Sequence, residues 1–467
     1  MMRGPVIGAM LWLAGATLTG VALAANASLE KPLPEKGTPR PAVIVNGEPV
    51  SLATLQLLHG VIAQREPEKS LANVLREVVQ NHVLSDYAEH QYGDAALFDG
   101  ARVGIAPTVA AEDGMIATLR MAFRGRIEHA LADANGGARW VEQTHPLDRD
   151  RLAALLGVQR GGPMRLDDRI TPERESHLRD ISLLEYRFPN SMRHTVTLYD
   201  VWRRQNTQGR NALLALDTAL AQSQALQIVA NRYIVDWAIR EGGIAPSVPD
   251  ELTHLVAERD RREALSRYMG AQMLLHFDSP YLKKLQDSVA PADIARYYAD
   301  NPGEFKRIER VEVRQMRFAD EVTANAASAR LNHGEDFEQV ARETSIAPSA
   351  KQGGYLGWIE AGRAETDWLA QLAMATRPGI PTRPVREPED AKGNAGWEII
   401  QVLKRVEGRY PLDSETVRYT ARQAIASKWA VRDFVALRTR LSQSATLDLD
   451  RHALGFDRKA LKLEEAS

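Results

Sequence analysis

The sequence predicts an α+β protein, mainly helical, with one segment in which strands and helices mix. Three observations carry this. Leu71, Val74, Leu75, Val78, Val79 and Val83 recur at helical spacing over 71–90. Residues 195–242, interrupted near Gly209, and 249–276 also read as long helices. Over 304–406 the order becomes strand, helix, helix, a Gly-Gly-x-Leu-Gly-Trp segment, helix, Pro-Gly turn, strand. Beyond it, Val417, Ala421, Ala424, Ile425, Phe434, Leu437 and Leu441 make one apolar stripe, with Asp413 or Ser414 placed to cap its helix.

At the N-terminus, Arg3 precedes the apolar and small residues 6–24, which end in Ala22-Leu23-Ala24. This reads as a cleaved signal peptide over 1–24, the other reading being a retained anchor. No Cys follows it, so no lipoprotein anchor is expected. Residues 25–41, with Pro32, Pro34, Pro39 and Pro41, read as a linker. Asn46-Gly47 between apolar residues predicts a tight turn, and Ser51 a helix N-cap. No other segment approaches the ~18 apolar residues that span a bilayer. A periplasmic or otherwise exported protein with no stable membrane span is expected.

The 467 residues suffice for two or three domains. With 44% hydrophobic and 26% charged residues and a net charge of −2, no basic field argues for nucleic acid. The absence of Cys excludes disulfides, thiol catalysis and Cys-based zinc sites. No His-Glu-x-x-His or other metal spacing occurs, and the 11 histidines, His82 and His254 among them, read as ordinary helix or loop residues. The Gly157–Pro163 loop contains Arg160 but no Gly-Lys-Ser, so no nucleotide site is expected. Neither a metal nor a cofactor is predicted.

The segment Ser345–Trp358, Ser-Ile-Ala-Pro-Ser-Ala-Lys-Gln-Gly-Gly-Tyr-Leu-Gly-Trp, is the most specific in the chain. It follows a strand-like run Val311–Phe318 and a helical pattern at Phe337, Val340 and Ala341. It precedes Arg377-Pro378-Gly379 and the strand-like run Trp397–Val402. Residues 304–406 resemble the parvulin family of peptidyl-prolyl isomerases. Residues 42–50, 71–90 and 289–305 resemble exported foldases of the SurA and PrsA type. The resemblance implies a helical body completed by a C-terminal helix and strand, with one parvulin-like domain, an antiparallel sheet with helices, inserted into it. The implied divisions are a body over 42–290, a connecting helix over 291–303, the domain over 304–406, and a returning helix and strand over 407–467.

Isomerisation of an X-Pro bond must lower a barrier of ~18–20 kcal/mol set by amide resonance, without making or breaking a bond. The resemblance implies two histidines on adjacent strands, a nearby Asp or Cys, and a pocket of Leu, Met and Phe. Here Gln315 and Glu398 stand at the histidine positions, Ala347 at the Asp or Cys, Ala364 at the Met, and Tyr355 at the acidic residue of the glycine frame. Leu356 matches, while Trp368 and Met374 stand for the Phe residues. The implied substrate-binding residues are Gln315, Leu356, Trp368, Met374 and Glu398, and no catalytic residue is assigned. Gln315 is expected to face Glu398 across neighbouring strands and to donate an amide N–H to it. The implied function is an exported folding factor with a prolyl isomerase domain, taking unfolded or extended polypeptides as clients. The alternative is a catalytically inactive chaperone or secretion accessory.

Overall fold

The computed structural model describes residues 40–98, 104–158, 170–272, 279–389 and 395–463. The expected signal peptide, nearly all of the linker and the loop after Val158 lie outside the described residues. Pro41, assigned to the linker, opens a strand instead. The chain forms two compact units, 1–264 with 438–467, and 265–437. Residues 265–290 and 407–437 therefore fall in the second unit, outside the body expected from the sequence.

In the first unit, β1 (Pro41–Val45) and β2 (Glu48–Ser51) form a hairpin through Asn46 and Gly47, at φ 51° and 101°. Both turn residues are left-handed, which Asn and Gly tolerate. Ser51 caps the helix Leu52–Ala63 by accepting the Thr54 N–H at 3.2 Å. The C-terminal strand Leu447–Leu449 pairs antiparallel with β1, so the two chain ends share one three-stranded sheet. Ala42, Val43, Leu55, Leu75, Val79 and Leu461 close an apolar core beneath it. The helix Leu71–Phe98 kinks at Gly93, whose φ of 73° takes it out of helical geometry.

The one or two long helices expected over 195–242 do not form as such. Residues His194–Thr197 are a strand, and Leu198–Arg203, Thr207–Leu214 and Thr218–Arg240 are three helices. Gly209 lies inside the second, and the breaks come where Asn206 and Asp217 cap the helices that follow. With β3 (Val141–Thr144) and β4 (Ser182–Tyr186), β5 (His194–Thr197) makes a second sheet inside the body that was expected to be helical. Its strands are only four or five residues long, too short to show a clear two-residue period.

The second unit holds a four-stranded antiparallel sheet in the order β7-β6-β9-β8. Its strands are β6 (Lys306–Phe318), β7 (Tyr355–Glu360), β8 (Val385–Arg386) and β9 (Trp397–Arg409). Among the described residues the remaining strand, β10, is Leu447–Leu449 of the first unit. The helix Pro291–Asp300 begins with Pro at its first position, where a missing N–H costs nothing. Its Ile294 and Tyr297 pack with Phe305 and with Val417, Ala421 and Ile425 of the long helix Glu415–Ser444. Ser414 accepts the Val417 N–H at 3.3 Å at the start of that helix.

Candidate functional site

The two long central strands, β6 and β9, divide the sheet into two apolar faces. On one, Met316, Phe318 and Ile399 pack with Ala324, Ala327, Phe337 and Val340 of the helices Glu321–Asn332 and Phe337–Thr344. On the other, Val313, Ile359, Ile400 and Val402 pack with Ala370 and Ala373 of the helix Trp368–Ala375. The two-residue strand period puts Gln315, Arg317 and Glu398 on this second face. Gln315 is 9% exposed and Glu398 only 3%. The polar candidates are thus embedded in an apolar layer.

The expected Gln315–Glu398 pair does not form. The antiparallel register sets Gln315 opposite Ile400 and Arg317 opposite Glu398; the two register shifts, between Ile308 and Arg310 and between Glu312 and Val313, cancel each other. Glu398 lies one diagonal away from Gln315, and its buried Oε2 has no hydrogen-bond partner. Its neighbours are Glu387 and Arg317, whose Nε stands 3.9 Å from Glu398 Oε1. Arg317 Nη2 donates to Glu387 Oε2 at 2.6 Å, and the Gly396 N–H donates to the same oxygen at 3.1 Å.

Burial first, then the adjacent Glu387 carboxylate, push the Glu398 carboxyl up to about 9, against the smaller opposing pull of Arg317. Burial also acts to raise Glu387. Glu398, Arg317 and the Gly396 N–H outweigh it and hold Glu387 below its ordinary value. The two shifts describe one arrangement. Glu398 carries a proton at neutral pH and donates it to an ionised Glu387. Glu387 was absent from the sequence reading because it lies in a loop segment, and only β8 pairing with β9 brings it to Glu398.

The glycine frame is shaped by close backbone approach. Gly353, Gly354 and Gly357 sit at φ 67°, 77° and 82°. A Cβ on Gly354 would lie 2.3 Å from the carbonyl oxygen of Gln315. The same two residues share a backbone bond, the Gln315 N–H donating to Gly354 O at 2.8 Å. Tyr355 continues into β7, a strand the sequence order had left out, and donates its hydroxyl to Glu312 at 2.9 Å.

The apolar candidates are spread across this region. Leu356 occupies the bulge between the Val313–Gly357 and Arg314–Tyr355 pairs and is 37% exposed. Trp368 is half-buried at the first turn of its helix. Met374 is the one of the three that joins the apolar cluster of the second face, with Ala364 beside it. Arg405 donates to the carbonyls of Met374 and Thr376 and so closes the end of that helix. Ala347 is buried and offers no ionisable group.

A cluster elsewhere also escaped the sequence reading. His82, His254 and Glu258 bring one ligand atom each to within 4.8 Å of one another in the first unit. Two of the histidines read as scattered are therefore neighbours. The available signal was His254 and Glu258 at i, i+4 on one helix; His82 is joined to them only by tertiary packing.

Comparison with known proteins bears on the second unit. The rotamase family, described as the PPIC-type PPIase domain, matches residues 310–404. Chaperone SurA of Methylobacillus flagellatus is 39% identical over 107 residues, 23% of this chain and 22% of that protein. Chaperone SurA of Nitrosospira multiformis is 34% identical over 119 residues, 26% of this chain and 25% of that protein. Periplasmic chaperone PpiD of Haemophilus ducreyi is 28% identical over 139 residues, 29% of this chain and 21% of that protein. The matched part thus spans about a quarter or less of these relatives. Among solved structures, PrsA of Bacillus anthracis aligns at 18% identity with a TM-score of 0.20, covering 43% of this chain and 86% of that one. Among the described residues, no helix is long and apolar enough to cross a membrane. Residues 310–404, which hold the β6–β9 sheet and the glycine frame, match the PPIC-type PPIase domain, and part of the chain is similar to Chaperone SurA.

Proposed function

We propose that this chain is an exported folding factor that binds extended or Pro-containing clients, with a parvulin-type domain over 304–406 as its peptide-handling module. The observation that carries the reading is the kept glycine frame next to a polar centre rebuilt without imidazole. Gln315 and Glu398 are buried, and Glu398 is committed to Glu387 rather than to solvent. Proton donation to a client amide is therefore not the domain's device. Amide rotation needs no proton transfer, so an apolar surface that desolvates the X-Pro bond is chemically sufficient. We assign that surface to Leu356, Trp368 and Met374, with Gln315 and Glu398 shaping its floor. Tyr355, Trp358, Ile346 and Ile380 are exposed in the same domain, 44%, 38%, 62% and 69% respectively, and add apolar surface for an unfolded chain.

The test uses the full chain in two assays. Suppression of aggregation of an unfolded client is expected, and Leu356→Asp should weaken it several-fold with the fold intact by circular dichroism. The exchange of short X-Pro peptides should be accelerated only modestly over the uncatalysed rate of tens to hundreds of seconds. A wild-type chain that neither binds the client nor accelerates exchange would sink the reading. Rapid exchange that Leu356→Asp leaves untouched would refute the assigned surface.

A further inference from the structure

The helical unit contains a buried carboxylate held between two imidazoles. His82, on the helix Leu71–Phe98, and His254 and Glu258, on the helix Val248–Tyr268, converge beside a cavity of about 240 Å³. Glu258 Oε1 lies 2.6 Å from His82 Nδ1 and 3.0 Å from His254 Nε2. The Glu258 side chain is 5% exposed, and its second oxygen, Oε2, is buried with no hydrogen-bond partner. A fully desolvated carboxylate oxygen with unused lone pairs calls for a ligand. The cavity wall adds Glu48, Asp250 and Glu251. The nearby cation, Arg261, is paired with Asp94 and Glu89. The local field therefore favours a dication.

We infer that His82, His254 and Glu258 form a binding site for a late first-row transition-metal dication, for which Zn²⁺ is the test ion. Two imidazole nitrogens and one carboxylate suit Zn²⁺, Co²⁺, Ni²⁺ or Cu²⁺, whereas Mg²⁺ and Ca²⁺ favour all-oxygen sets. Tetrahedral donors about 2.1 Å from an ion stand ~3.4 Å apart, so the 2.6 Å His82–Glu258 contact must open by ~0.8 Å and the 3.0 Å His254–Glu258 contact by ~0.4 Å. His254, with 59% of its side chain exposed, has room to move that far. Three protein donors leave a coordination position free, and the cavity lies beside it. This site is independent of the peptide-binding reading above, lying in the other unit and using other residues.

The test is Zn²⁺ titration of the untagged full chain after chelator treatment, by competition with a chromogenic chelator. One ion per chain is expected, with Kd about 10 µM or tighter at pH 7.5. Co²⁺ should give visible absorption bands of a four- or five-coordinate ion. His254→Ala, at an exposed side chain, should weaken Zn²⁺ binding at least tenfold and abolish the Co²⁺ bands. His129→Ala, at an exposed position elsewhere, should change neither. Equal affinity in wild type and His254→Ala, or no binding at 100 µM Zn²⁺ in wild type, would overturn the site and leave the three groups a hydrogen-bonded cluster. Measuring client suppression with and without Zn²⁺ separates this result from the proposed function.

Discussion

Glu398→Gln is expected to stabilise the parvulin-type domain at pH 8 and to change it little at pH 5. In the unfolded chain a Glu titrates near 4.3, whereas Glu398 in the folded domain is pushed up to about 9. Its contribution is complete below about pH 4 and is lost progressively as pH rises toward 9, because the unfolded chain ionises first. At pH 8 the folded state must still hold a proton that the unfolded state has released. The cost by linkage is on the order of 3 kcal/mol, allowing for relaxation around the pair. Glu387 works in the opposite sense. Its lowered value contributes stability above the ordinary carboxylate range, lost as pH falls through it.

A Gln at 398 keeps the shape and offers an amide N–H to Glu387, so it preserves the Glu387 contribution and removes the proton requirement. Amide hydrogen exchange of β9 in the full chain reads the domain locally at both pH values. An equal change at pH 5 and pH 8, or destabilisation at pH 8, would show that Glu398 does not hold the proton.

Gly354→Ala should cost about 3 kcal/mol or more, and Gly357→Ala about 1 kcal/mol, although both residues have nearly the same φ. The conformational term is shared, since 77° and 82° both lie in the region that L side chains rarely adopt. The difference is what the new methyl meets. At Gly354 it strikes the Gln315 carbonyl oxygen, a backbone atom of the central strand that cannot swing aside. At Gly357 the nearest heavy atom is Tyr355 Cε1, at 4.0 Å. Urea unfolding of the full chain, followed at the second unit by exchange of β6 amides, separates the two variants. If both lose the same stability, the close approach to Gln315 is not what demands glycine at 354.

Much of the fold was legible because its signals are local. Asn46-Gly47 turns, Ser51 caps, Pro291 opens a helix, and the glycine frame lies where it was read. The strands at Tyr355–Glu360 and His194–Thr197 were not legible. The first carries Gly357 and a bulge at Leu356 that mask its period, and the second is four residues long and runs directly into a helix. At the site, Gln315 and Glu398 were located on the correct strands, but their relation was not. Register decides that relation, and no local pattern announces how two long strands slide past each other.

By itself the sequence determined the Asn46-Gly47 turn, the helix starts at Ser51 and Pro291, the glycines that let the chain pass close to β6, and the replacement of ionisable groups around the expected pocket. Only tertiary structure decided the electrostatics. Glu398 keeps its proton because the apolar layer buries it and, second, because a two-residue strand delivers Glu387 to it, and Glu258 meets His82 because two helices pack together. A side chain's identity is local, whereas its solvation and its neighbours' charge are properties of the folded surroundings, and those set which state of each group exists.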